Sequence, residues 1–206
     1  MLRTLTICCA VWLVAGIAAE SAAQSRATRF ILEGGGGIGL TDNAEFATWA
    51  GGTLGYGGKF RGFPVRFYLI TSVMWDRTST SMENSISYAD RTATDLSWLA
   101  GPRLYIPLGR RVRLHMAGEV GGAWSRSRWS VNDLERYEPN DTSFVARFSG
   151  GVQVRFLRAL SVGVTLDRML FWGKRNDPSV AAMVGFSQEV QEGDRVRLGL
   201  TGTLHF

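Results

Sequence analysis

The chain has 206 residues, enough for one domain, and its formal charge of +5 is spread along the sequence. No basic run is interleaved with aromatic residues, so nothing in the composition speaks for nucleic acid. The two cysteines, Cys8 and Cys9, sit together near the start, which leaves the remainder without a disulfide or a thiolate metal site.

Arg3 supplies a short positive start, Leu5 to Ile17 are almost wholly apolar, and Ser21-Ala22-Ala23 places small residues before Gln24. This is the pattern of a cleavable signal peptide over residues 1–23, with residues 24–206 as the exported domain. The apolar stretch is too short for a spanning helix. Lipidation at Cys8 is disfavoured because Leu5-Thr6-Ile7 lacks the small residue needed before it, so both cysteines are expected to leave with the signal.

From Thr28 onward apolar and polar residues alternate, the period of a strand with two unlike faces. Strands are predicted at about 28–40, 46–60, 63–76, 94–108, 111–125, 143–156, 160–172 and 195–206. The third is the clearest, with Phe63, Val65, Phe67, Leu69, Val73 and Trp75 opposing Arg66, Tyr68, Ser72 and Asp76. Glycine clusters such as Gly34 to Gly37 fall inside these segments, where glycine relieves crowding or permits curvature. GGGGIG is not a phosphate loop, since no Lys-Ser/Thr and no helix pattern follows.

Connections near Arg61-Gly62, Gly109-Arg110 and Leu157-Arg158 are tight, whereas Thr78 to Ala93, Arg126 to Thr142 and Gly173 to Asp194 are long and polar. Eight strands with turns and loops in alternation make an up-and-down barrel, turns at one end and loops at the other. Alternation alone leaves the outward face open, and a secreted lipocalin-like carrier would hide the apolar set. Aromatic residues at the strand ends favour a bilayer: Trp75, Trp98, Trp124 and Trp172 on the loop side, Phe60, Phe63, Phe156 and Phe206 on the turn side.

In the last twelve residues, RVRLGLTGTLHF, apolar residues alternate back from Phe206. This segment resembles the C-terminal strand by which bacterial outer-membrane barrels are recognised for assembly, and Phe206 is then the assembly signal. Together with segments such as GPRLYIPLG (Gly101 to Gly109), residues 24–206 resemble the small eight-stranded outer-membrane barrels, the group of the OmpA transmembrane domain and OmpX. The resemblance implies an all-β, eight-stranded antiparallel transmembrane barrel, monomeric, that meets the barrel-assembly machinery, outer-membrane lipid and lipopolysaccharide. It implies no cofactor, and since the chain ends on its last strand, no peptidoglycan-binding domain is expected. Two features depart from the pattern: Arg168 falls on the apolar parity, through a bulge or a place near the headgroups, and Ser179 to Val190 is apolar-rich within the last loop.

With the polar parity inward, the lumen would hold Glu33, Lys59, Arg66, Asp95, Arg103, Arg113, His115, Glu119, Arg147, Asp167 and Arg197. An eight-stranded barrel is just wide enough for side chains to fill, so these groups must pair. Glu119, Arg147, Asp167 and Arg197 reach similar heights on four successive strands with alternating signs. A structural ion-pair plug is the expectation, with a narrow ion path as its functional alternative. Catalysis on this scaffold would need a serine, a histidine and an acid. Ala117 occupies the position two after His115 where the lipid A deacylases carry serine, His205 lies at the turn-side rim, and no cluster has metal-site spacing. The expected role is structural, or surface interaction through the loops, without enzymatic activity. A minor porin-like channel or a lipid A-modifying enzyme is the alternative.

Overall fold

The computed structural model describes residues 29–41, 46–59, 65–83, 88–131, 134–137, 141–173 and 194–206. The expected signal segment, Phe60 and Phe63 with the turn between them, and Ser179 to Val190 lie outside the described residues. The strands are β1 (Phe30–Thr41), β2 (Phe46–Lys59), β3 (Arg66–Glu83), β4 (Tyr88–Pro107), β5 (Val112–Val131), β6 (Leu134–Tyr137), β7 (Asp141–Arg155), β8 (Leu160–Trp172) and β9 (Arg195–His205).

Every pairing is antiparallel, running from β4 back through β3, β2 and β1 to β9, β8, β7 and β5, and the β4–β5 pairing closes the ring. Eight strands thus form the barrel, while the four residues of β6 add to the top of β5. A circuit along the strand register from Leu40 passes through Val196, Arg168, Phe148, Gly118, Pro102, Leu69 and Tyr56 to Phe30, ten residues below its start on the same strand. That stagger obliges the strands to tilt and fixes which side chains meet across the lumen.

Burial follows the alternation. Along β8 from Ser161 to Asp167 every second side chain is buried, and the exposed ones are Val162, Val164 and Leu166. The charged parity faces inward and the aliphatic parity outward, the reverse of a soluble carrier. An outer wall of Leu, Val and Ile is the surface a bilayer requires. It is bounded on the loop side by Phe46, Trp75, Trp98, Trp124, Phe144 and Trp172, and on the turn side by Phe30, Tyr56, Phe67, Phe156 and Phe206, all exposed. Phe206 is tied to the first strand, its N–H donating to the Phe30 carbonyl at 3.0 Å and its carbonyl accepting from Arg29 at 2.9 Å.

Glycine supplies the close approaches that bring β1, β2 and β9 together. The Trp49 indole turns inward and donates to the Leu198 carbonyl at 3.3 Å. It lies against Gly199, where a Cβ would collide with the indole ring.

Two expected loops are largely strand. Residues 78–83, 88–93, 126–131 and 141–142 belong to β3, β4, β5 and β7, so the β3–β4 and β4–β5 ladders continue well beyond the tryptophan belt. There the outward face has left the apolar wall while Thr78, Arg91, Ala93, Ser127 and Trp129 still point inward and are buried, so Thr78-Ser79-Thr80-Ser81 carries no hydrophobic alternation although its backbone still pairs. No bulge surrounds Arg168, whose register with Phe148 and Val196 is regular. It points outward and pairs with Asp194 at 3.2 Å near the loop side. Lys59, expected in the lumen, is exposed at the turn-side mouth, and Arg66 is only partly buried there.

Candidate functional site

The inward parity fills the barrel with charge. β5 and β7 set Glu119 opposite Arg147, and β8 and β9 set Asp167 opposite Arg197. Arg147 Nη1 lies 2.9 Å from Glu119 Oε2, and its Nη2 lies 2.9 Å from Asp167 Oδ2. Arg197 Nε reaches Asp167 Oδ1 at 2.6 Å, while its Nη1 crosses the lumen to both oxygens of Asp76 on β3 at 2.9 and 3.0 Å. Asp76 then neighbours Arg195 at 3.9 Å, and Arg195 Nη2 meets Asp95 at 2.5 Å. Four carboxylates and three guanidinium groups form one chain across the barrel, all nearly inaccessible.

Neutral groups complete it. The Ser72 hydroxyl donates to Glu119 Oε1 at 2.5 Å and shares a hydrogen bond of 2.9 Å with Thr53. Arg197 also stacks on Trp49, its Cζ 5.0 Å from the ring centroid, and Arg195 stands 5.1 Å over Phe171. Inside the loop-side half, Trp49, Met74, Leu99, Ala123, Val145 and Met169 form an apolar layer around these charges. The inward-facing set is therefore mixed rather than wholly polar.

A second group lies nearer the turn side. Arg103 Nη1 is 2.9 Å from Glu33 Oε1, while Gln153 and Thr203 donate to Glu33 Oε2 at 3.0 and 2.8 Å. Below it, Tyr105 packs against Tyr68, His115 and His205 with ring centroids 5.5 to 6.3 Å apart. His115 Nε2 is 3.4 Å from the Thr165 hydroxyl, and His205 Nε2 is 3.1 Å from Ser161 Oγ. Both histidines are buried in the lumen, and neither Nδ1 has a hydrogen-bond partner. The Ser161–His205 pair thus lacks an acid on the imidazole nitrogen where a catalytic triad needs one. Among the described residues, no group of three acidic, His or Cys side chains could hold a metal ion.

Of the eleven groups expected in the lumen all but Lys59 and Arg66 are buried inside, and Glu33, Arg103, His115, Glu119, Arg147, Asp167 and Arg197 fall into two clusters rather than one. Asp76 and Arg195 were not singled out, and Asp76 meets Arg197 on a strand that is not its neighbour. The polar parity of β3 and β9 is the only sequence signal for that contact.

No protein-family model and no curated protein matches the chain. Solved structures do match. A major outer membrane protein from Thermus thermophilus aligns over 88% of this chain and 100% of its own, with a TM-score of 0.53 at 11% identity. Ail, the attachment invasion locus protein of Yersinia pestis, aligns over 89% and 100% at a TM-score of 0.47 and 14% identity. The outer membrane enzyme PagL aligns over 83% and 97% at 0.48 and 12%. At such identities a likeness speaks for architecture alone, and the first carries that weight. By its own strand order and that likeness, the chain is an eight-stranded transmembrane β-barrel built like the small outer-membrane barrels.

Proposed function

We propose that the protein resides in the bacterial outer membrane, turns toward the periplasm and hairpins outside, and acts structurally or as a surface interaction protein through those hairpins. The observation that carries this reading is the sheet of β3, β4, β5 and β6 rising beyond the tryptophan belt on a barrel whose lumen is filled by side chains. Projecting hairpins on a rigid scaffold are a natural place for binding. The filled lumen favours this over a channel, and two inward histidines without an orienting acid favour it over a lipid-modifying enzyme.

Ser81 is exposed on the β3–β4 hairpin, and the expected mature chain contains no cysteine. Ser81→Cys should react with a membrane-impermeant maleimide on intact cells. Labelling only after the outer membrane is broken would refute the orientation. Shortening the hairpin between Ser79 and Arg91 should reduce adherence of cells that display the protein; equal adherence would leave the structural role alone.

A further inference from the structure

The outer wall over β3, β4 and β5 is ordered in rows, because residues paired across three strands share a face. Val73, Trp98 and Gly122 make one row, Trp75, Leu96 and Trp124 the next toward the loops, and Arg77, Thr94 and Arg126 the next. Successive rows lie about 7 Å apart along the strands. The two tryptophan rows are exposed, as are both arginines. A groove of about 520 Å³ opens here, lined by Val73, Leu96, Trp98, Gly122, Trp124 and Thr142 among others.

Gly122 is the floor of the groove. A Cβ there would have as its nearest neighbour the Ser143 carbonyl at 3.8 Å, so the missing side chain leaves space rather than relieving a clash. Trp98 is 70% exposed, yet its indole N–H donates to Thr71 Oγ1 at 2.8 Å, and that hydroxyl donates to the Leu99 carbonyl at 3.2 Å. One wall is therefore held open instead of collapsing into the notch. An apolar cleft one row beneath two outward guanidinium groups, at the level where acyl chains meet headgroups, matches an amphiphile with an anionic head.

We propose that this face binds one phosphorylated glycolipid of the outer leaflet, an acyl chain lying over Gly122 between Trp98 and Trp124 and a phosphate group against Arg77 and Arg126. The proposal rests on the outer-membrane reading above and deepens it from a lipid environment to a defined site.

The test uses folded protein in detergent, its folding checked by heat-modifiable gel mobility, titrated with bisphosphorylated lipid A and followed by native mass spectrometry. One lipid should be retained per barrel. Gly122→Leu should weaken retention roughly tenfold for both phosphorylated and dephosphorylated lipid A, because it fills the notch while its Cβ meets the backbone at no less than ordinary contact distance. Arg77→Gln combined with Arg126→Gln should weaken it about tenfold for the phosphorylated form only. Leu198→Ala, on the opposite wall, should change nothing. Equal retention by every variant, equal retention of phosphatidylglycerol, or displacement by inorganic phosphate would each overturn the site. If Ser81→Cys labels on intact cells while no lipid is retained, the site fails and the membrane location stands.

Discussion

Arg147 is the cation whose removal tests the lumen network most sharply. It joins Glu119 to Asp167, each at 2.9 Å, in a setting where Arg147 itself is 3% exposed. Arg147→Met keeps much of the side-chain volume and removes the charge. Asp167 retains Arg197 at 2.6 Å, but Glu119 is left with the Ser72 hydroxyl as its hydrogen-bond partner. The chain of charges holds four carboxylates against three guanidinium groups, so the single change widens an existing negative excess. Leaving a buried charge uncompensated costs about 3–5 kcal/mol, whereas replacing both members of a pair by apolar groups of similar volume is often nearly neutral.

Glu119→Met with Arg147→Met should therefore be more stable than Arg147→Met alone, since it returns the negative excess to that of the unaltered network and leaves Ser72 its hydrogen bond to Thr53. Equilibrium urea unfolding in detergent micelles, run as a double-mutant cycle, measures the coupling. The coupling should be a few kcal/mol, with the double variant recovering most of the loss. If the two single losses simply add, Glu119 and Arg147 are not energetically paired, and the geometric contact has no energetic meaning.

Gly199→Ala should destabilise the barrel by about 1–3 kcal/mol, since its Cβ meets the Trp49 ring, while Gly202→Ala on the same strand, with nothing within 4 Å, should be tolerated; unfolding of the pair under identical conditions checks it. In planar bilayers the purified protein should pass no steady porin-sized current, because Arg147, Asp167 and Arg197 fill the middle of the lumen; a large stable conductance would refute the plug. Phe206→Ala should lower the amount of folded barrel reaching the outer membrane more than Ser81→Ala does, as read by heat-modifiable mobility of membrane fractions; equal amounts would remove the assembly role of Phe206.

Strand number, facing and neighbour relations are carried by residue alternation, because the two sides of the wall meet different media. That is why Glu119 beside Arg147 and Asp167 beside Arg197 can be reached from spacing alone: each pair sits on adjacent strands with a tight or simply counted offset. Asp76 with Arg197, and Glu33 with Arg103, span the lumen between strands that are not neighbours. Their meeting depends on the ten-residue stagger, which no local pattern encodes. The hairpin strands beyond the belt escaped for a different reason. In residues 78–83 and 126–131 the outward side no longer faces the apolar belt and the buried inward side includes Thr78 and Ser127, so pairing persists without the hydrophobic contrast that makes a strand readable. Arg168 shows the converse: its parity was right, and Asp194 is the partner that lets a cation stand on the outer wall.

The same alternation bears on how such a chain can reach its membrane. Its mean hydropathy is −0.01, and polar residues, glycine or small residues recur on the inward side of the wall among the apolar ones, so none of the described strands offers the long apolar run that would hold it in a membrane crossed on the way. Hydrophobicity becomes continuous only when the strands are set side by side. Backbone groups likewise escape an unsatisfied edge in lipid only when β1 meets β9. Arg197 lies on β9, and its carboxylate partners are on β8 beside it and on β3 across the lumen. An unclosed sheet brings Asp167 to Arg197 but leaves Asp76 outside its reach. Burial of the guanidinium with both carboxylates is thus a property of the closed ring, and it couples the ion-pair network to the step that seals the wall against lipid.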